Sequence, residues 1–151
     1  MTGKFRAVPE SAGGRREACL CSTLRAASRR VTQLYDEALA PVGLTITGYF
    51  LLSRIGSMDQ PSMNELAEVA AMDHSTISRS MRPLLDAGLV VVRTGTDRRR
   101  KEFALTAKGK RVRAAAFPHW QDAQRDFKSR YGVAESALLT AMLMRTIELP
   151  A

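Results

Sequence analysis

The side chains of this chain that are best suited to chemistry are basic and hydroxyl groups concentrated between residues 74 and 101. That stretch holds seven Lys and Arg and two Asp, a net charge of +5, whereas the whole chain of 151 residues has a formal net charge of +8. Arginine can bond guanine O6 and N7 together, and hydroxyls can bond base edges or phosphates. The stretch therefore predicts contact with a polyanion, although ribosomal proteins, membrane-surface proteins and nucleases carry similar charge.

The first half of this stretch is predicted to be a helix, with Asp73 as its N-cap and Gly88 at its end. Its apolar residues are expected to face inward: Ile77, Met81, Leu84 and Leu85. The outward residues are the predicted DNA contacts: His74, Ser75, Thr76, Ser78, Arg79 and Arg82. A helix of this width fits the major groove, N-terminal end first. Pro83 predicts a bend near Arg79–Arg82, because proline removes an amide donor. The alternative is an ordinary solvated helix.

The second half of the stretch is predicted to be a β-hairpin, with strands at 89–93 and 101–105 joined by a turn at 94–97. Its tip carries one acid and four cations: Asp97, Arg98, Arg99, Arg100 and Lys101. An arginine on a narrow ribbon can enter the minor groove, and the cations add a salt-dependent attraction to phosphate. Asp97 would repel phosphate, so it is expected to brace an arginine or the turn. The alternative is an ordinary charged loop.

The elements that must position these residues are mostly helical. Helices are predicted at 15–40, at 46–56 with Thr45 or Thr47 as cap, at 63–70 behind a Ser62–Glu65 capping box, from Thr106 to about 130, and at 133–149. Two short capped helices with a turn of about three residues between them predict a helix-turn-helix. The expected fold is mainly α with a small β-hairpin wing.

Four segments are expected along the chain. Residues 1–14 form a flexible arm, 15–44 an N-terminal dimerisation helix, 45–106 the winged helix-turn-helix module, and 107–151 the C-terminal dimerisation helices. The flanking helices carry more apolar surface than a module of about 60 residues covers, so a two-fold partner is expected to bury it.

The chain resembles the MarR family of bacterial regulators over roughly 17–149. The matching residues include Leu66-Ala67, Ser75 to Arg79, Ala87 to Val90, and the run from Asp97 to Gly109, which follows the family's D-x-R…L-T-x-x-G wing pattern. The resemblance implies a dimer joined by the first and the last two helices, a palindromic operator, and often a small phenolic or oxidant signal. It assigns Arg99 as the wing-tip arginine and Asp97 as its partner.

The two cysteines, Cys19 and Cys21, would point about 200° apart on a helix, so a local disulfide is not expected and a reducing cytoplasm fits best. Within the resemblance, Cys21 and Tyr35 match the reactive cysteine and a supporting tyrosine of the organic-hydroperoxide-sensing OhrR branch. Two other tyrosines of that branch are replaced by Arg25 and Ile46. The alternative makes Cys21 a small buried core residue.

A group of aromatic residues and one histidine is a candidate effector pocket between the dimer helices and the winged module. Its members are Tyr49, Phe50, Phe117, His119 and Trp120. The alternative is that they are simply core. The two histidines and two cysteines lack metal-ligand spacing, and no cofactor is expected.

Several functional classes are disfavoured. The chain has no apolar run of 18 residues and no secretory h-region, so a membrane span is not expected. It has no Ser/His/Asp set, no Gly-rich phosphate loop and no paired carboxylates, so an enzyme is not expected. The sequence predicts a cytoplasmic regulator that binds double-stranded DNA specifically, as a repressor released by a small aromatic effector. The alternatives are a hydroperoxide sensor acting through Cys21, and a winged helix that contacts only proteins.

Overall fold

The computed structural model describes residues 19–94 and 101–148. In chain order, the elements are α1 (Leu20–Leu39), α2 (Ile46–Ser57), α3 (Met63–Ala70), α4 (His74–Asp86), the strands β1 (Val90–Thr94) and β2 (Lys101–Leu105), α5 (Ala107–Tyr131) and α6 (Val133–Ile147). The strands pair antiparallel as one hairpin. The predicted fold class, mainly helical with a small hairpin wing, is confirmed. The predicted arm at 1–14 lies outside the described residues.

The first helix starts later than predicted. α1 begins at Leu20, and Cys19 is its N-cap with extended backbone, while the predicted residues 15–18 lie outside the described part of the chain. After Leu39 the chain tightens into a 3-10 turn, Ala40–Val42, which contains Pro41 at a position where a missing amide is tolerated. Gly43 then adopts a φ of 69°, which favours glycine, and directs the chain towards α2.

The core lies where α2, α3, α4 and the hairpin meet. Its most deeply buried side chains are Leu39, Leu51, Leu52, Leu66, Ile77, Met81 and Val90. On α4, Ile77, Met81 and Leu84 are buried, and Leu85 packs against the core, as the apolar spacing predicted. Burial of this stripe fixes which face of α4 is left to solvent.

Side-chain caps set the orientation of the helices before α4. The Gly48 amide donates to Thr45 Oγ1 at 3.1 Å, so Thr45 rather than Thr47 caps α2. The Ile46 amide donates to Asp36 Oδ1 at 2.7 Å, which ties α2 to α1. Ser62 forms the predicted capping box of α3 with the residue three positions later. Each cap satisfies amides that the first helical turn would leave unpaired.

The start of α5 is fixed to the end of α4 by what we call the Thr106–Gly109 junction. Thr106 Oγ1 accepts from the Gly109 amide at 2.9 Å and donates to the Gly88 carbonyl at 2.8 Å. The Thr106 amide donates to the Leu89 carbonyl at 3.0 Å. Lys108 Nζ donates to the C-cap carbonyl of α4 at 2.9 Å. Gly109 packs so closely that a Cβ there would lie 2.0 Å from the Leu89 carbonyl oxygen.

The terminal helices leave apolar surface exposed. α6 packs against α5, yet Val133, Leu138, Met142 and Ile147 are 71%, 62%, 57% and 63% exposed. Leu20 at the start of α1 is 69% exposed. No single helix in the described ranges is long and apolar enough to cross a membrane, although α1 through Val42 and α2, bent by 72°, pass that test as a pair on length and composition.

Candidate nucleic-acid interface

The beginning of α4 is organised by the carboxylate of Asp73, its N-cap. Asp73 Oδ1 accepts from the Thr76 amide at 2.9 Å and from Ser75 Oγ at 2.5 Å, and Oδ2 accepts from Thr76 Oγ1 at 2.8 Å. The hydrogen bonds from the Ser75 and Thr76 side chains, followed by the Thr76 amide, hold the pKa of Asp73 far below its usual value. Asp73 is therefore ionised at neutral pH.

The two arginines of α4 are held differently. Arg79 folds back along the helix, with Nε donating to the Ser75 carbonyl at 3.3 Å and Nη2 to Thr76 Oγ1 at 3.4 Å. Arg82 Nε donates to both carboxylate oxygens of Asp86 at 3.1 Å, and the two side chains are 77% and 63% exposed. A DNA phosphate or base must therefore compete with Asp86 for Arg82. The Arg82–Asp86 ion pair was not predicted from the sequence, although residues four apart on a helix commonly pair.

The predicted DNA contacts of α4 share an accessible surface. His74, Ser75, Ser78, Arg79 and Arg82 are exposed, and Thr76 is half-buried. α4 continues through Pro83 to Asp86, so the proline does not end the helix. Proline has no amide to donate, so the Arg79 carbonyl loses its usual intrahelical donor.

The hairpin stands beside this surface and is attached to α3. Its register places Thr94 opposite Lys101 and Arg93 opposite Glu102. The Phe103 amide donates to the Pro61 carbonyl at 2.9 Å, which anchors β2 to the segment before α3. Lys101 and Arg93 are exposed. The remaining predicted wing residues, which are Asp97, Arg98, Arg99 and Arg100, lie outside the described residues, as does the predicted Asp97 brace.

Several residues of the predicted aromatic pocket contact one another within the described chain. Tyr49 is 8% exposed, and its ring centroid lies 6.2 Å from that of Trp120. Phe117 stacks on Trp120 at 5.9 Å, and the Arg54 guanidinium lies over the Phe50 ring at 5.1 Å. Within the single chain Tyr49, Phe50 and Trp120 pack in or against the core and Phe117 is 47% exposed, so the effector pocket between the dimer helices and the winged module stays a prediction.

Two surface grooves lie elsewhere, and neither is lined by Tyr49, Phe50, His119 or Trp120. The first, about 320 Å³, runs between the α1–α2 corner and α4, with lining residues that include Asp36, Thr47, Ser80 and Pro83. The second, about 330 Å³, lies between α1 and α5, with lining residues that include Arg30, Glu37, Asp122 and Asp126. The first groove thus borders α4.

The cysteine surroundings differ from those predicted. Cys19 and Cys21 are both exposed in the single chain, so Cys21 is not a core residue there. The Ser22 amide and hydroxyl lower the pKa of the Cys19 thiol. The prediction against a Cys19–Cys21 disulfide assumed that both residues are helical. Cys19 is instead the N-cap, with φ −61° and ψ 114°, so that assumption does not hold.

The predicted pairing of Cys21 with Tyr35 cannot occur within one chain. The two residues lie on the same continuous helix, α1, and Tyr35 is 9% exposed. At 1.5 Å per residue, their separation along the axis is about 21 Å. Only Tyr35 of a second copy could reach the thiol. Among the residues with described positions, no three His, Cys, Asp or Glu form a group that could hold a metal ion.

This fold and surface define a winged helix-turn-helix DNA-binding regulator. Residues 42–100 match the MarR family. The chain is similar to the M. tuberculosis transcriptional regulator MosR, solved in complex with DNA, with a TM-score of 0.71 and 32% identity over 87% of this chain and 99% of that one. It is also similar to a probable transcriptional regulator from Pseudomonas aeruginosa, with a TM-score of 0.79 and 26% identity over 87% and 99% of the two chains.

The regulator SarZ of Staphylococcus epidermidis is 28% identical over 94 residues, which is 62% of this chain and 64% of SarZ. The match thus spans a little under two thirds of that relative's length. The chain belongs to the MarR family of transcriptional regulators, which are not enzymes, as the residue resemblance predicted.

Proposed function

We propose that this chain is a cytoplasmic repressor that binds a palindromic double-stranded operator as a homodimer. In this proposal α4 enters the major groove, and the wing tip, with Arg99 foremost, enters the adjacent minor groove. The observation that carries the proposal is the exposed basic and hydroxyl face of α4, built over a buried apolar stripe and set beside the hairpin. The DNA complex of MosR, 32% identical to this chain, supports it.

The homodimer is proposed from the terminal helices. α6 packs mainly against α5 among the described elements, and its Val133 and Leu138 are 71% and 62% exposed. Apolar side chains exposed to this extent are typical of a surface that a partner covers. A two-fold partner covering α1, α5 and α6 would hold two copies of α4 against half-sites about 34 Å apart.

The response to a signal is the finer part of the proposal. A small aromatic effector is proposed from the family resemblance, and a ligand in the groove between the α1–α2 corner and α4 would contact Ser80 and Pro83 of α4 directly. The alternative, a hydroperoxide sensor at Cys21, requires Tyr35 of a second copy to reach the thiol. A winged helix that contacts only proteins is disfavoured by the net charge of +5 between residues 74 and 101.

The DNA-binding proposal is tested by operator selection from random duplexes, followed by affinity measurements at fixed salt. Arg79→Ala is expected to weaken binding and relax base preference, whereas Arg99→Ala should weaken binding to all sequences, each by roughly 1–3 kcal/mol. Lys128→Ala removes the same charge near the far end of α5 and is the matched control, with affinity expected to stay near wild type. Unchanged affinities in both Arg79→Ala and Arg99→Ala would contradict the proposal.

A further inference from the structure

Two hydroxyl groups on the DNA-facing side of α4 have their protons already committed. Ser75 Oγ donates to Asp73 Oδ1 at 2.5 Å, and Thr76 Oγ1 donates to Asp73 Oδ2 at 2.8 Å. An ionised carboxylate can only accept hydrogen bonds, and a hydroxyl has a single proton. Both protons must therefore point at Asp73, and the hydroxyls turn lone pairs towards any other partner.

This arrangement persists across the physiological pH range. Asp73 caps a helix N-terminus, where a negative charge is favoured, and its hydrogen bonds hold its pKa far below the usual value. Thr76 Oγ1 also accepts from Arg79 Nη2 at 3.4 Å, which leaves it one lone pair, whereas Ser75 retains two. Ser78, one turn further on, has no hydrogen-bond partner for its hydroxyl among the residues with described positions, so it can donate or accept.

We infer that Ser75 and Thr76 read DNA as acceptors only, so that each contacts the exocyclic amino group of the adenine or cytosine in the base pair it faces. This inference rests on the proposed function. In the major groove adenine N6 and cytosine N4 are donors, whereas guanine N7 and O6 and thymine O4 are acceptors. A hydroxyl whose proton points at Asp73 would place its oxygen against the acceptor atom of guanine or thymine, and neither acceptor would receive a hydrogen bond. Asp73 is therefore a positioning residue: it orients the Ser75 and Thr76 hydroxyls and so affects base specificity without contacting DNA.

The first step of the test selects operators from random duplexes with the full wild-type chain, then repeats the selection with Ser75→Ala and with Thr76→Val. Positions whose preference disappears in either variant are the ones these hydroxyls face. Every base pair contains one amino-bearing base, adenine or cytosine, so this step maps the base pairs and not the atom that is read. A mapped pair whose contact survives removal of that amino group overturns the inference and leaves the proposed function intact, and a library with no enriched sequence overturns both.

The second step replaces the Asp73 carboxylate, which only accepts hydrogen bonds, with a group of similar shape that can also donate. Asparagine is as good an N-cap as aspartate, but the Asp73→Asn amide can donate, which frees the hydroxyls to turn their protons outward. Discrimination against the reversed pair, in which guanine or thymine stands where the amino-bearing base stood, is expected to fall from roughly fivefold to nearly none. Equal weakening for all sequences, the result for a purely structural cap, would overturn the inference.

A third measurement does not depend on how Asp73→Asn folds. Replacing a mapped adenine by purine, which lacks the 6-amino group, should lower wild-type affinity roughly fivefold. The same purine substitution should cause no further loss of affinity in the variant that already lacks the facing hydroxyl, Ser75→Ala or Thr76→Val. The position read by Ser78, identified by Ser78→Ala, serves as comparison, because its preference should be unaffected by Asp73→Asn. A purine substitution that weakens wild type and both variants equally would contradict the assignment.

Discussion

Cys19 and Cys21 are two positions apart in sequence but have different surroundings. Cys19 lies at the cap, where the Ser22 amide and hydroxyl lower the pKa of its thiol, and Cys21 lies inside α1. The resemblance drew attention to Cys21 because it compares positions along the chain. The start of the helix was not predictable, since residues 15–17 are themselves good helix formers.

At neutral pH, Cys19 is expected to react faster than Cys21 with iodoacetamide, because a lowered thiol pKa raises the thiolate fraction. Cys21 serves as the internal control. Peptide mass spectrometry at timed intervals measures both rates in the same sample. Equal rates for the two cysteines in wild type would refute this prediction.

Residue-level predictions from sequence succeeded where the cause is local. The caps at Asp73 and Ser62 and the buried face of α4 follow from spacing within one or two turns. The Asp36 contact with α2 and the mutual packing of Tyr49 and Trp120 did not follow, because each joins elements that are distant in sequence.

At the scale of elements, the most informative feature is the Thr106–Gly109 junction. In the sequence, L-T-x-x-G is only a family pattern. In the structure, Thr106 caps α5 and bonds the end of α4, and Gly109 allows the Leu89 carbonyl to approach. The pattern therefore describes how α5, the proposed dimer helix, is joined to α4, the proposed DNA-reading helix.

Gly109→Ala is expected to destabilise the protein by roughly 1–3 kcal/mol, because the added Cβ collides with backbone that cannot rotate away. Urea unfolding followed by circular dichroism measures the change. Lys110→Ala, an exposed neighbour in the first turn of α5, is the control and should stay within about 0.5 kcal/mol of wild type. Equal stability of the two variants would show that α5 adjusts freely at this contact.

At the scale of the whole molecule, the module order was predictable because periodicity and caps delimit each helix. For the proposed dimer interface, the sequence predicted only that the terminal helices carry more apolar residues than one chain can bury. Which of them remain uncovered depends on how α6 packs on α5, and this packing is not encoded in the spacing of α6 alone. In the structure, Ser136 is buried and Leu138 is exposed.

Leu138→Asp is expected to shift the protein from dimer to monomer, because a carboxylate would be buried without a partner in the proposed interface. Sedimentation velocity at micromolar concentration measures the change. A chain ending at Gly132, which lacks α6, should behave in the same way. Glu68→Ala, an exposed change on α3, is the control and should leave sedimentation unchanged. A wild-type monomer under these conditions would rule out the proposed dimer.

Because the Thr106–Gly109 junction fixes one end of α5, a small tilt of this helix gives a larger displacement at its other end. α5 has 25 residues, so at 1.5 Å per residue it is about 37 Å long. Because one end is fixed to α4, a tilt of only about 5° would move the opposite end relative to α4 by about 3 Å, close to the rise of one base pair. In the proposed dimer, a substitution that tilts α5 would therefore change the spacing between the two copies of α4 by about one base pair.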